Sequence, residues 1–244
     1  LRMPHAQALD LPPPFRLVTL REVGDAFVHA TAVAAEQGAG TLVVVGRFDL
    51  AEFAVVLEPE EPLRTARRAF YTGCVALADA LAAHAPPEKP IAFDWPGTVR
   101  VDGGLVGGAR LGWPAGAAED EPPDWLVFGA MIRTVAIAEG EPGLHSLASA
   151  LQDEGFEGGS DALVETFARH LMVAVDACQE LGFEAVARQY LPRLAAQPGA
   201  VRAIDDNGDL LERRDGAPTP ERRPLVPALT VPSWLDPATG GPRL

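Results

Sequence analysis

Lysine is almost missing from this chain: of its 20 Lys and Arg residues, 19 are arginine and one, Lys89, is lysine. An ammonium is a compact point charge and a guanidinium is a planar fork, so neither replaces the other beside a reacting phosphate or carbonyl. Chemistry that needs a catalytic lysine has one candidate, and Lys89 sits in a Pro-Pro-Glu-Lys-Pro segment that reads as exposed and solvated. Cysteine is nearly as scarce. Cys74 and Cys178 each fall on the apolar stripe of a predicted helix, whereas a reactive thiol needs an accessible, electropositive setting. Both read as buried and inert.

Long hydrophobic runs are missing too. None approaches the ~18 residues that cross a bilayer, so no membrane partner is expected. The first residues lack a basic stretch followed by an apolar one, which makes a cytoplasmic location the expectation. Positive charge is in deficit: the formal net charge is −14. Such a surface repels phosphate backbones and argues against nucleic acid as a partner.

What remains is ample for a folded core. The 244 residues, 48% hydrophobic, suit one large domain, or one domain with a small appendage. The reading divides them into a Pro-rich segment (1–14), a main domain (15–195) and a small C-terminal β domain with a Pro-rich tail (196–244).

Along the chain, Phe15 to Leu20 reads as a strand and Asp25 as the N-cap of a helix reaching Glu36. Thr41 to Val45 and Ala51 to Leu57 read as strands rich in β-branched and apolar residues. Pro62 opens a single helix whose apolar face runs through Leu63, Ala66, Phe70, Cys74, Leu77 and Leu81. Four strands follow: Ile91 to Trp95, Thr98 to Val101, Leu105 to Trp113 and Trp125 to Val135, the second and third joined by a tight turn at Val101-Asp102-Gly103-Gly104. Gly143 to Gly159 reads as irregular with one short helix, and Ser160 caps a long helix that stops at Gly182. A further helix starts at Phe183, and an Asn-Gly hairpin joins Val201–Ile204 to Asp209–Glu212. Residues 217–244 carry seven prolines and read as a surface wrap or a loose tail.

The block from Phe93 to Gly108 is the most informative. Trp95-Pro96 ends one strand, and Gly104-Leu105-Val106-Gly107 opens another. Later come Gly129-Ala130-Met131-Ile132-Arg133-Thr134-Val135 and Ala203-Ile204-Asp205-Asp206-Asn207-Gly208-Asp209-Leu210. In that order these resemble the Lys-Trp-Pro-Asn-Asp strand, the Lys-Leu-Ala-Gly strand, the Gly-Ile-Gly-Ile-Asn-Val strand and the Gly-Ile-Asp-x-x-Gly-x-Leu turn of the biotin/lipoate protein ligase family. The resemblance spans roughly Phe15 to Glu212. It implies an α+β fold: a mostly antiparallel mixed sheet packed on helices, of the class II synthetase type, with a small C-terminal β element.

The resemblance also implies an activity. A biotin- or lipoate-type acid is activated by ATP, with Mg, as an acyl-adenylate and passed to a lysine of a carrier domain. A homodimer is compatible with it. The family's charged residues are replaced, however. Its Gly-Arg-Gly-x-x-Gly-Arg loop is reduced to Gly46-Arg47, the lysine before Trp-Pro is Asp94, the following Asn-Asp is Gly97-Thr98, and the lysine of Lys-Leu-Ala-Gly is Gly104.

Substitutes are therefore sought. Arg110 and Asp94 are the candidate catalytic residues; Arg47, Trp95, Gly103, Gly104, Gly107, Gly108, Gly129 and Arg133 are the candidate ligand-binding residues. The arginines either converge on a carboxylate or phosphate, or pair with Asp94 or Asp49 in structural ion pairs. Asp94 is either a partner for Arg110 or a metal or general-base group. The glycines either admit a ligand close to the backbone or serve the turn alone. The alternative to an enzyme with a remodelled site is an inactive relative that binds a small carboxylate or a carrier domain. A third reading, a cysteine–lysine acyltransferase, lacks a suitably positioned cysteine.

Overall fold

The structure, a computed structural model, describes residues 9–21, 24–136 and 148–243. Seven strands form the main sheet: β1 (Arg16–Leu20), β2 (Thr41–Val45), β3 (Leu50–Leu57), β4 (Ile91–Asp94), β5 (Thr98–Val101), β6 (Gly104–Gly112) and β7 (Leu126–Arg133). Their order is β1-β2-β3-β7-β6-β5-β4, and all pairs are antiparallel except β1–β2. A second, three-stranded sheet holds β8 (Ala200–Ile204), β9 (Leu210–Arg214) and β10 (Glu221–Arg223). The mixed, mostly antiparallel α+β architecture expected from the sequence is the one found.

Side chains alternate across each strand, so the sheet has two distinct faces. One presents Leu42, Val44, Phe53, Val55, Phe128, Ala130 and Ile132 to the helices α3 (Ala69–His84) and α4 (Ser160–Leu181). Contact there is close. A Cβ on Gly73 of α3 would lie 2.4 Å from the Phe128 ring, which itself stacks on Phe167 at 5.7 Å between centroids. The other face presents Val43, Val45, Ala54, Val56 and Val127, covered by Ala26, Ala30 and Ala34 of α1 (Ala26–Gln37). Beyond α1, Leu50 and Met131 on this face are covered by Trp234 instead.

Two expectations change, and a third is only partly described. The helix expected from Pro62 to Leu81 is broken into α2 (Leu63–Ala66) and α3, with i→i+3 bonds such as Arg68 N to Thr65 O and Phe70 N to Arg67 O at the junction. The 114–124 loop caps α2, since Leu63 N and Arg64 N donate to the carbonyls of Glu121 and Glu119. Residues 148–159 contain no helix; 143–147 lie outside the described residues. Finally, the Pro-rich end is not peripheral: α6 (Leu225–Thr230) buries Leu225 in the main core, and Trp234 is 1% exposed. Prolines obscured this because they break periodicity without preventing burial.

Elsewhere the agreement is close. Asp25 caps α1 by accepting from Val28 N at 2.9 Å. Asp102 and Gly103 both have positive φ, 49° and 84°, which joins β5 to β6 by the tight turn expected there. α5 (Phe183–Tyr190) packs Tyr190 on Phe93 and Tyr71, and Tyr71 donates to the Gly208 carbonyl at 2.6 Å, tying the small sheet to the core.

Candidate functional site

Cross-strand pairing lines up one row of residues over the second face of the sheet. Val45, Glu52, Met131, Gly108, Thr98 and Asp94 are successive partners from β2 to β4. The neighbouring row holds Val43, Ala54, Gly129 and Arg110, and Leu50 pairs with Arg133 on the row beyond. Arg110, Gly129, Met131, Gly108 and Arg133 therefore share one face.

The charges of this face gather at its β3 side. Glu52 is 2% exposed and accepts the N–H of Ala26, the first residue of α1, at 2.8 Å. Burial raises the Glu52 carboxyl above its ordinary range, opposed by the Ala26 bond and by the charges of Arg110 and Arg47. Arg110 Nη2 donates to both Asp25 carboxylate oxygens, at 2.9 and 3.0 Å, and the guanidinium lies 4.5 Å over the Phe27 ring. Its Nε is buried without a partner among the described residues. Arg47 is bonded to Asp49 at 3.1 and 2.7 Å, which raises the arginine and lowers the aspartate. Arg133 donates to the carbonyls of Pro242 (2.9 Å), Arg243 (3.3 Å) and Ser149 (3.4 Å). Desolvation lowers it, offset in part by the charge of Asp49.

Arg110 and Arg133 share this face and Arg47 lies in the β2–β3 loop, but each arginine has its own partner: Asp25, backbone carbonyls and Asp49 respectively. Asp94 stands apart. It bonds Arg100, Nε to Oδ2 at 2.6 Å, and not Arg110, because β4 and β6 are two strands apart, about 10 Å. Trp95 lies past the end of β4, donates to the Tyr71 hydroxyl at 3.1 Å, and carries the Arg223 guanidinium 4.8 Å over its ring.

The glycines divide by what touches them. Gly103 is a turn residue with open space around it. A Cβ on Gly104 would meet Ser149 at 2.6 Å, and one on Gly107 would meet the Met131 carbonyl at 1.9 Å. These two serve chain packing. Gly129 admits Phe27 of α1, 2.7 Å from where its Cβ would be. Gly108 holds a side chain from the far end of the chain: the Trp234 indole lies 2.3 Å from its would-be Cβ.

Lys89 is not merely solvated: it bonds Asp102 and Glu154, each at 2.8 Å, and is thereby raised. Cys74 is fully buried and pushed well up, while Cys178 is half-buried and raised by burial. Neither has the setting of a nucleophile. Among the described residues no group of three or more His, Cys, Asp or Glu could hold a metal ion. None of their helices is long and apolar enough to cross a membrane.

Sequence reasoning missed Glu52 and Trp234, and read Asp25 as an N-cap without its pair to Arg110. Glu52 had a signal, a lone carboxylate inside Leu50-Ala51-Glu52-Phe53-Ala54-Val55, since charge in a buried strand demands partners. Trp234 had none.

The face thus combines close-packed glycines with Arg110 and Arg133 on a mostly antiparallel sheet, covered in part by α1. The biotin/lipoate A/B protein ligase family profile matches residues 11–192, and the chain belongs to that family. Among solved structures, a biotin protein ligase-like protein of unknown function from Silicibacter sp. TM1040 is 28% identical, with a TM-score of 0.76 over 91% of this chain and 99% of that one. The biotin protein ligase of Aquifex aeolicus in complex with biotin and ATP is 16% identical, TM-score 0.60, covering 86% and 99%. That of Leishmania major in complex with biotinyl-5-AMP is 17% identical, TM-score 0.56, covering 86% and 98%. The last two support the fold alone. A comparison with curated proteins finds no match.

Proposed function

We propose that the protein joins a biotin- or lipoate-type carboxylic acid to a carrier-domain lysine through an acyl-adenylate, with arginines standing in for the family's lysines. What supports this is the position of Arg110 and Arg133 on the sheet face that holds Gly108 and Met131, with Arg47 in the β2–β3 loop near enough to Glu52 for their charges to interact. A guanidinium fork suits a carboxylate or phosphate, and the unpartnered buried Nε of Arg110 favours an anion nearby.

In this reading Arg133 and Arg110 hold the acid's carboxylate and the nucleotide's phosphate, while Met131 and Gly108 floor the slot for the acid's apolar body. ATP, with Mg, supplies the adenylyl group. The acid's oxygen displaces pyrophosphate; the carrier amine then takes the acyl group, losing a proton as AMP departs. Asp94, held by Arg100, takes no part in this scheme.

Purified protein given ATP, biotin or lipoate, and an apo-carrier domain is expected to release pyrophosphate and yield acylated carrier. No transfer with any acid of the class ends the reading. A second reading, a non-catalytic relative that binds a small carboxylate or a carrier domain, is favoured by the engagement of Arg47 with Asp49 and of Arg110 with Asp25. It expects a ligand-raised melting temperature without pyrophosphate release.

A further inference from the structure

The segment after α6 does something none of the expectations assign to it. It folds back on itself: Leu235 and Pro242 form an antiparallel bridge, Asp236 N donates to Gly241 O, Arg243 N donates to Trp234 O, and the Arg243 guanidinium donates to Ser233 O, each at 2.8 Å where a bond is measured. Most of its backbone pairing is thus internal, as in a compact surface loop whose ends meet. Such a unit can move as one body without leaving its own polar groups unsatisfied.

Its attachment to the sheet is narrow and falls on the candidate site. Trp234 lies on Gly108 and packs against Met131 and Leu50, its indole N–H donating to Ala109 O at 3.1 Å. Ser233 and Thr98 share a hydroxyl contact at 3.0 Å. The Pro242 and Arg243 carbonyls accept from Arg133. An apolar ring therefore rests over Met131, and two oxygens rest on the arginine two residues further along the same strand face, about 7 Å away. A small acid with a hydrophobic body and a carboxylate has the same two ends.

We infer that residues 231–243 are an autoinhibitory strap: Trp234 and the Pro242 and Arg243 carbonyls occupy, in cis, the positions of an acid's apolar body and its carboxylate, and the acid enters when the strap lifts. The identity of the displaced ligand rests on the function proposed above; the strap itself does not.

Two measurements on the full chain separate them. Native-state hydrogen exchange is expected to release the strap amides, Arg243 and Asp236 among them, at least about a hundredfold faster than those of β6 and β7, as local opening requires. A smaller gap overturns the strap, because the segment is then part of the core. Second, a Thr98→Cys/Ser233→Cys variant places two thiols where two hydroxyl oxygens are 3.0 Å apart, so oxidation locks the strap down. Biotin and lipoate, titrated calorimetrically, are expected to bind the reduced form and lose at least tenfold in affinity to the oxidised form. Equal binding to both forms overturns the strap. If exchange reports opening but neither acid binds either form, the strap stands and the acid assignment falls.

Discussion

The two faces of the main sheet are built on different principles. The α3–α4 face is a closed aromatic and aliphatic layer in which Phe128 is gripped between Gly73 and Phe167. The opposite face is shared between a small-residue helix, α1, and an irregular strap, with Glu52, Arg110 and Arg133 set among apolar neighbours. The difference separates fold from chemistry. Removing a ring from the first face leaves a void that helices on both sides cannot collapse into, whereas the second face is covered by something that can leave.

The largest expected effect follows from that contrast. Phe128→Ala should cost about 3–5 kcal/mol, read as a lower midpoint in urea unfolding. Trp234→Ala removes a larger ring, yet it should cost clearly less, because the strap opens separately from the global transition. Equal losses from the two would erase the distinction between the faces.

Catalysis should divide the same way. In the ligase reading Arg110→Ala is expected to lower acyl transfer on the order of 10²–10³-fold, as for other single donors of charge stabilisation. A thermal melt run in parallel accounts for the lost Asp25 pair. Transfer that survives Arg110→Ala undiminished would remove this arginine from the reaction and shift weight to Arg133.

How much of this was legible in the sequence depends on the kind of residue. The apolar and glycine frame was readable, because alternation and turn chemistry are local: Thr41–Val45 and Thr98–Val101 fall where expected, and Asp102-Gly103 makes the turn. Family membership was readable for the same reason, through Trp95-Pro96 and the ordered glycine motifs. Ion pairing was not. Asp94 lay within reach of Arg100 on the neighbouring strand, and Arg110 met Asp25, 85 positions away, only because α1 packs on β7, the strand beside β6. The strap was least legible, since Trp234 sits among prolines with no period, and its contact with Gly108 joins positions far apart in the chain.

A smaller perturbation tests the strap's seat alone. Gly108→Ala puts a methyl carbon where the Trp234 indole now lies, 2.3 Å away. The flanking strands fix the backbone, so the ring must move. Overpacking of this kind costs about 1–3 kcal/mol, and here it should appear chiefly as faster exchange of the 231–243 amides with β6 and β7 still protected. Loss of protection throughout the sheet would mean that the indole cannot yield, and the two faces would then be equally rigid.

The smallest effect concerns Glu52 and depends on pH. Its folded carboxyl titrates above the ordinary value of 4.5, chiefly through burial. In the window above that value the folded state holds more proton than the unfolded chain, so stability falls as pH rises through it and stays lower beyond. Glu52→Gln keeps an oxygen for the Ala26 N–H but cannot ionise. The variant should therefore gain on the wild type as pH rises from about 4.5 toward neutrality, with the melting-temperature difference growing in favour of Gln. A difference that grows in favour of Glu as pH rises would mean that the Ala26 bond, Arg110 and Arg47 more than offset the burial. Glu52 would then be a stabilising anchor of the arginine group, and the chemical face would owe its charge arrangement to stability as much as to function.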